Sequence, residues 1–581
     1  RVRRREPSPV PPCPEPKTAS DIGGKSIYLV LADRFARGAG SADQSPCGMN
    51  DDEPGLRNAW CGGTIAGIIE QLDYIQGMGF ECVWVTPLVG QFEGENGQSG
   101  WASHGYWAYR WYEIDRHFGT SEDLRALSRE LHRRGMCLVY DFVTNHVGPV
   151  HSARDLERIH PFNKSEYFHT LGSADGSFDA YVKRGSVQAL GVGAQCGGDF
   201  AGCGCYRCPA EPGPGEACPE PMVFDQAGPC PDPETAAAGA PNQAPMMYCG
   251  AGDHWCRGYS DRATHEGWFY DLGDLNQSHP FVRDELLRWG RHMVDTYDID
   301  AVRLDTASYM PLDFLRDLQE AVCVPILGEV TAQNMTFHAQ IQADPREEGR
   351  RVLDGVLNFP LTYAAVPGFC PGRDVFPLAD GNLSFLGARM AFQLESGLYR
   401  DPHALGNQVD NHDMTRIART CSRDRSLMAS LIVWNMLVTG APTIYYGTEA
   451  EFSEQRISLW HTGWETGAPF YQLLRALNKV RKDSGIARAA QKTEHASQRH
   501  LVFTRGAKDV WVFLTNAGNA SRGERYCAAP EAEAGLRWVD ALSGREFDGR
   551  RGPCLQTPDG MPVVLTRVRD DGDLGAPRRR F

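Results

Sequence analysis

Arg303 and Asp305 stand two positions apart in the stretch Asp300-Ala-Val-Arg-Leu-Asp-Thr-Ala-Ser-Tyr309. On an extended strand alternate side chains share a face, so the two point the same way. A guanidinium in that position favours the ionised and therefore nucleophilic form of the acid. A structural ion pair has the same signature, because such pairs also perturb pKa values. Two more acids close short apolar runs, Glu329 after Val324 to Gly328 and Asp413 just beyond Gly406 to Asp410. Retaining cleavage of a glycosidic bond needs a nucleophilic carboxylate and a nearby carboxyl group that is protonated at rest. Neighbouring negative charge would raise the pKa of Glu329 and suit it to the acid role. Asp413, beside His412, would hold hydroxyl groups and stabilise a cationic transition state. Three acids at strand ends describe a magnesium site or surface charge equally well.

These positions need a scaffold. Apolar residues recur at helical spacing from about Phe281 to Thr296, and the run from Asp300 reads as a buried parallel strand. Ser26 to Leu31 is a first strand, followed by a helix through Ile65 to Ile75 and a strand Cys82 to Thr86 that Pro87 stops. Ser121 is read as capping a helix through Leu124, Leu127 and Leu131, with a strand Met136 to Val143 behind it. Further strands are expected at Val324 to Glu329, Gly355 to Phe359, Gly406 to Asp410 and Thr443 to Tyr446. Strand and helix alternating in this way imply parallel strands with right-handed crossovers, a barrel or a doubly wound sheet. Eight strands favour a (β/α)8 TIM barrel, whose active groups lie at strand C-termini. The pattern lapses from about Val147 to Trp268, too long for a loop, so an inserted domain is expected there. The expected division is a disordered leader at 1–20, barrel at 21–146 and 269–485, an inserted cysteine-rich domain at 147–268, and an antiparallel β-sandwich domain at 486–581.

The chain of 581 residues carries a formal charge of −15 and no clustered basic face, which argues against nucleic acid or an anionic membrane as partner. The longest apolar run, Leu427 to Val438, is short for a membrane span and reads as a buried helix. Eighteen cysteines and sequons at Asn163, Asn334, Asn382 and Asn519 point to an oxidising compartment and a secreted glycoprotein. The start at Arg1 reads as a processed form. Within the insertion, Cys203-Gly-Cys-Tyr-Arg-Cys208 lacks the paired spacing of a zinc site, so disulfides are expected. Cys47 with Cys61 and Cys527 with Cys554 are expected bridges. Cys82 and Cys137, each in a buried strand, are expected as free thiols acting as small apolar residues.

Four runs, Asp141-Phe-Val-Thr-Asn-His146, Ala301-Val-Arg-Leu-Asp-Thr306, Leu327-Gly-Glu-Val330 and Val409-Asp-Asn-His-Asp413, resemble in order and spacing the four short conserved regions of the α-amylase family of glycoside hydrolases. Ser26-Ile-Tyr-Leu-Val-Leu-Ala-Asp-Arg-Phe-Ala-Arg37, Cys61-Gly-Gly-Thr64, Leu72-Asp-Tyr-Ile-Gln-Gly-Met-Gly-Phe80 and His104-Gly-Tyr-Trp107 resemble the fungal, calcium-dependent members. The resemblance implies that Asp305 is the nucleophile, Glu329 the acid and base, and Asp413 the transition-state stabiliser. It implies that Arg303 keeps Asp305 ionised, and that His104, Tyr106, Trp107, His146, His412 and Arg456 contact substrate. It implies a Ca2+ ion held by Asn145, Asp274 and the carbonyl of Tyr309, tying the insertion to the barrel; calcium takes such oxygen donors. The implied partner is an α-glucan such as starch or glycogen, cleaved internally at α-1,4 bonds by a monomer.

Ser308 and Tyr309 depart from the fungal pattern, which has a Lys-His pair there on the leaving-group side. That leaves the acceptor site and endo-cleavage open, with α-glucosidase or transglycosylase activity as the alternative on the same machinery. A non-catalytic glucan-binding homologue is the alternative of another class, and it predicts loss of acids that this chain retains. An acidic contact near Arg456 is not aligned; Glu451 or Glu454 would replace it.

Overall fold

In a computed structural model of the chain, the described residues are 13–39, 58–97, 100–170, 178, 182, 265–269, 271–332, 334–371, 380–519, 537–548 and 558–568, with the backbone of 205–207, 223–225, 525–527 and 554–556. Eight parallel strands close into a barrel: β1 Ile27–Val30, β2 Cys82–Val85, β3 Cys137–Phe142, β4 Ala301–Leu304, β5 Ile326–Gly328, β6 Gly355–Leu357, β7 Leu405–Asn407 and β8 Ala441–Tyr445. Each pairs with its chain neighbours and β8 returns to β1. Helices outside and packed side chains inside bury every strand residue, which is why these runs are apolar rather than alternating. The register sets Arg303 of β4 opposite Asp141 of β3 and Leu327 of β5. All eight expected strands are present, with ends displaced by up to three residues.

The helices follow the sequence with two differences. The helix Ser121–Arg133 is capped by Thr120, not Ser121: its hydroxyl accepts from the Asp123 N–H while the Asp123 carboxylate returns to the Thr120 N–H. The expected single helix from Ile65 is two, Ile65–Glu70 and Leu72–Gly77, broken at Gln71. The apolar run at Leu427 is the buried helix Arg425–Leu437, and no helix among the described residues is long and apolar enough to cross a membrane.

Beyond the helix Pro469–Ser484, six antiparallel strands form one sheet: β9 Gln491–Ala496, β10 His500–Arg505, β11 Val510–Thr515, β12 Arg537–Asp540, β13 Glu546–Asp548 and β14 Val563–Arg567. Their period-two pattern divides the side chains cleanly. Leu501, Phe503, Val510, Val512, Leu514 and Val564 join the barrel core, while Val502, Trp511, Phe513, Trp538, Val563 and Leu565 make a second buried cluster. Arg505, fully buried, locks the junction by donating to the carbonyls of Leu437, Ile486 and Ala489. A separate two-stranded pair sets the backbone of Cys527 opposite that of Cys554.

Two expectations are corrected. Cys82 and Cys137 are not free: they open adjacent parallel strands in direct register, their Cα atoms are 4.4 Å apart, and they form a disulfide. Their burial, taken as a sign of an inert thiol, left out the neighbour that the barrel supplies. The leader is held from residue 13 onward. Cys13 is bonded to Cys323, Lys17 pairs with Asp300 at 2.7 Å, and Ala19–Ile22 is helical. A third disulfide joins Cys370 and Cys421. Cys61 is disulfide-bonded, but Cys47, its expected partner, lies outside the described residues, as do Cys196 to Cys256 apart from the backbone of Cys205.

Candidate active site

Arg303 is the centre of the C-terminal mouth of the barrel. Its Nη1 donates to Asp305 Oδ1 at 2.7 Å and to Asp141 Oδ1 at 2.9 Å, and its Nη2 stands 2.8 Å from Glu329 Oε2. Asp141 closes β3, Asp305 follows β4 and Glu329 follows β5, so three successive strand ends converge on one buried guanidinium. Glu329 also accepts the backbone N–H of Thr306 at 3.1 Å, where the chain turns through φ +49°. Asp305 and Glu329 are thus held together by one cation.

Burial is the largest influence on these acids. It pushes Asp305 up to about 6; Arg303 opposes the shift, and Asp141 and Asp413 add to it. Arg303, divided among three carboxylates, offsets only part of this rise, and the acid is still ionised at neutral pH. Glu329 is also raised, by burial first, against Arg303, with Asp305 and Asp413 contributing. Burial, which the spacing of charges along the sequence does not reveal, is thus the larger cause of the shift expected from neighbouring charge. Asp141, quoted in a motif but given no role, accepts from Trp84 Nε1 at 3.0 Å and from the Tyr106 hydroxyl at 2.8 Å besides Arg303. A lone acid at the end of an apolar strand was the available signal.

Asp413 lies on the other side of the mouth with its side chain exposed. Its Oδ2 is 2.9 Å from His412 Nε2 and its Oδ1 is 3.1 Å from Arg456 Nη2. Withdrawal from bulk water disfavours its charge, but His412 and Arg456 together hold the carboxyl well below the usual carboxylate range. Arg456, expected as a sugar contact, also donates twice to the His412 carbonyl and is largely occupied with this segment. Glu451 pairs with Arg425 at 2.7 Å and Glu454 lies 3.8 Å from Arg419.

The aromatic and histidine positions come together. Tyr106 stacks on His412 at 4.9 Å and on His104 at 5.8 Å, and Trp107 meets His104 edge-on at 4.8 Å. Burial lowers His104 well below its ordinary value and His146 to about 4, so both rings are neutral and each presents a donor and an acceptor. Among the described residues the hydroxyls of Thr306 and Ser308 have no hydrogen-bond partner. Gly105, at φ +92°, makes the turn between His104 and Tyr106, and a Cβ there would meet the Pro87 carbonyl at 2.2 Å.

Asn145 and Asp274 also meet, on the antiparallel pair His146–Pro149 and Leu272–Asp274. Asn145 Nδ2 donates to Asp274 Oδ1 at 3.2 Å, and Asn145 Oδ1 is a buried acceptor with no partner among the described residues. Asp274 is pushed up to about 7 by burial, and His169 Nδ1 lies 2.6 Å from its second oxygen. Tyr309 packs on Phe269 at 4.4 Å, and Phe269 reaches His146. An unsatisfied amide oxygen beside a buried carboxylate fits a hard cation that takes oxygen donors. No group of three or more His, Cys, Asp and Glu among the described residues suits a metal, and the donors expected here include an amide and a carbonyl oxygen.

A closed parallel barrel with an arginine-linked carboxylate pair and a third acid across its mouth is the framework of a glycoside hydrolase. Residues 29–183 match the family description "Alpha amylase, catalytic domain". Alpha-amylase 2 of Schwanniomyces occidentalis is 29% identical over 532 residues, 89% of this chain and 85% of that one. Alpha-amylase 1 of Lipomyces kononenkoae is also 29% identical, over 80% of this chain, which spans 59% of that enzyme's length. The solved α-amylase of Malbranchea cinnamomea superposes with a TM-score of 0.70 at 27% identity, covering 95% of this chain and 97% of the other. In sequence and fold the chain thus resembles the α-amylase family of glycoside hydrolases.

Proposed function

We propose that the protein hydrolyses internal α-1,4-glucosidic bonds of starch, glycogen or a related α-glucan with retention of configuration. The observation that carries the reading is the single guanidinium of Arg303 held between Asp305 and Glu329. Glu329, raised by burial, gives its proton to the glycosidic oxygen as the bond to the leaving chain breaks. Asp305 attacks the anomeric carbon and forms a covalent glycosyl-enzyme; Glu329, now ionised, then takes a proton from the water that releases it. Asp413, ionised beside His412 and Arg456, stabilises positive charge in the transition state. His104, Tyr106, Trp107 and His146 bind sugar rings through stacking and neutral imidazole hydrogen bonds.

Asn145, Asp274 and the Tyr309 carbonyl would hold a Ca2+ ion. It would supply positive charge and rigidity at the junction of the 147–268 segment with the barrel. We further infer secretion into an oxidising medium, supported by three disulfides among the described residues.

The test is the size and anomeric form of products from soluble starch, for the native protein and for Glu329→Gln. Short α-anomeric oligosaccharides are expected. The variant is expected to fold and to lose on the order of 1000-fold or more in kcat. Glucose alone, or chains longer than the substrate, would favour the α-glucosidase or transglycosylase reading. Unchanged turnover by Glu329→Gln would overturn the assignment of roles.

A further inference from the structure

The loop after β8 has no regular secondary structure, yet four consecutive carbonyls in it each accept a hydrogen bond from a buried side chain. Arg416 Nε donates to Glu454 O at 3.3 Å and the Tyr445 hydroxyl to Gln455 O at 3.1 Å. Arg34 Nη1 donates to Arg456 O at 2.6 Å and the Tyr446 hydroxyl to Ile457 O at 2.8 Å. All four donors are buried, and Arg416 lies 3.8 Å above the ring of Tyr445. Irregular backbone ordinarily satisfies its carbonyls with water. Fixing each one by a separate buried donor specifies the loop's path residue by residue.

What the loop presents is Arg456, whose side chain donates to the carbonyl of His412 and reaches Asp413 Oδ1 at 3.1 Å. Gln455 adds a bond to the Met414 carbonyl at 3.2 Å. Arg34 reaches furthest. Besides Arg456 O it donates to Ala59 O at 2.7 Å and Ser103 Oγ at 3.3 Å, and it pairs with Asp33 at 2.8 Å. Ala59 follows Asn58, which accepts from Arg456 Nη1, and Ser103 precedes His104. One buried guanidinium from the β1 loop thus ties together the segments that carry Arg456, Asn58 and His104.

We propose that Arg34 is a positioning residue for Asp413, acting through the carbonyl-clamped loop 454–457 and Arg456, and not by contact with substrate. This rests on the hydrolase reading only for its kinetic test. A lysine at position 34 keeps the charge but cannot span the same acceptors.

Arg34→Lys is expected to lower kcat on a maltooligosaccharide by about 10- to 100-fold, with KM changed less than about threefold, as for a misplaced catalytic group. It is also expected to speed hydrogen exchange in the 410–416 segment. In an Arg456→Lys background the same change is expected to lower kcat by less than about twofold, because its route is already broken. Should Arg34→Lys fail to fold, Tyr446→Phe, which deletes one hydroxyl from the same clamp, is measured in the same cycle. Full multiplication of the two kcat effects, or unchanged exchange at 410–416 with lowered thermal stability, overturns the proposal. A native protein without turnover on α-glucans refutes the hydrolase reading instead, and the exchange measurement still decides the role of Arg34.

Discussion

Asp141→Asn removes one negative charge from the Arg303 cluster while keeping the shape of the side chain. Asp141 receives hydrogen bonds from Arg303, Trp84 and Tyr106, an arrangement that calls for an ionised acceptor even though burial pushes its pKa up. Asp141 and Asp305 meet at the same Nη1, at 2.9 and 2.7 Å. That places the carboxylates roughly 5 Å apart, where an effective dielectric constant near 20 gives a repulsion of about 3 kcal/mol. The full value corresponds to about 2 pH units. Freed of one carboxylate, Arg303 also pairs more strongly with Asp305, and both effects lower the pKa of that acid from about 6. Reorganisation around the new amide absorbs part of the gain, so we expect a downward shift of about 1 to 2 pH units. The competent enzyme has Asp305 ionised, so activity rises as pH rises through this pKa, and the variant stays active in more acidic solution. The assay is the acid limb of kcat/KM on a soluble maltooligosaccharide, which reports the apparent value for the linked acids of the free enzyme. An acid limb that does not move, or moves to higher pH, would refute the reasoning.

Gly105→Ala forces a Cβ against the Pro87 carbonyl from a left-handed backbone, so His104 and Tyr106 must shift; kcat/KM should fall on the order of 10- to 100-fold, and a loss under about twofold would show that their placement is not critical. Arg505→Met strips the donor from three buried carbonyls at the junction of sheet and barrel, which should destabilise by about 3 kcal/mol and lower the urea midpoint, with kcat retained. Joint replacement of Cys82 and Cys137 by Ala opens a loop with a sequence separation of 55 and should reduce stability by about 4 kcal/mol on the chain-entropy account. Equilibrium unfolding measures that loss, and a kcat changed more than about twofold would mean that the bond also shapes the cleft.

The barrel was legible because each strand is buried on both sides and leaves an unbroken apolar run, which composition alone reveals. The acids were legible because barrel topology assigns chemistry to strand ends, and Asp305 and Glu329 stand there. What the sequence hid were relations between distant segments. Nothing local says that Cys82 will face Cys137, that Arg303 will be divided among Asp141, Asp305 and Glu329, or that Arg456 will turn to Asp413 and the His412 carbonyl. The Thr120 cap was missed by one residue because Thr120 and Ser121 are both good caps, and only Asp123 three positions on decides between them. Arg34 was quoted in a motif without a role because nothing local tells that an arginine of the short helical turn Ala32–Phe35 is almost completely buried.

The disulfide between Cys82 and Cys137 joins the first residues of two barrel strands, and Cys13 is stapled to Cys323 just ahead of a third. Both bonds sit on the rim opposite the one where Asp305, Glu329 and Asp413 open. These two staples are thereby set apart from the catalytic acids, whereas the bonds of Cys61 and of Cys370 with Cys421 are not among them. Loops on the catalytic rim can be lengthened, shortened or exchanged in the search for new glucan preferences without disturbing these staples. For the same reason, a tether attached ahead of Cys13 would present the cleft outward from a solid support.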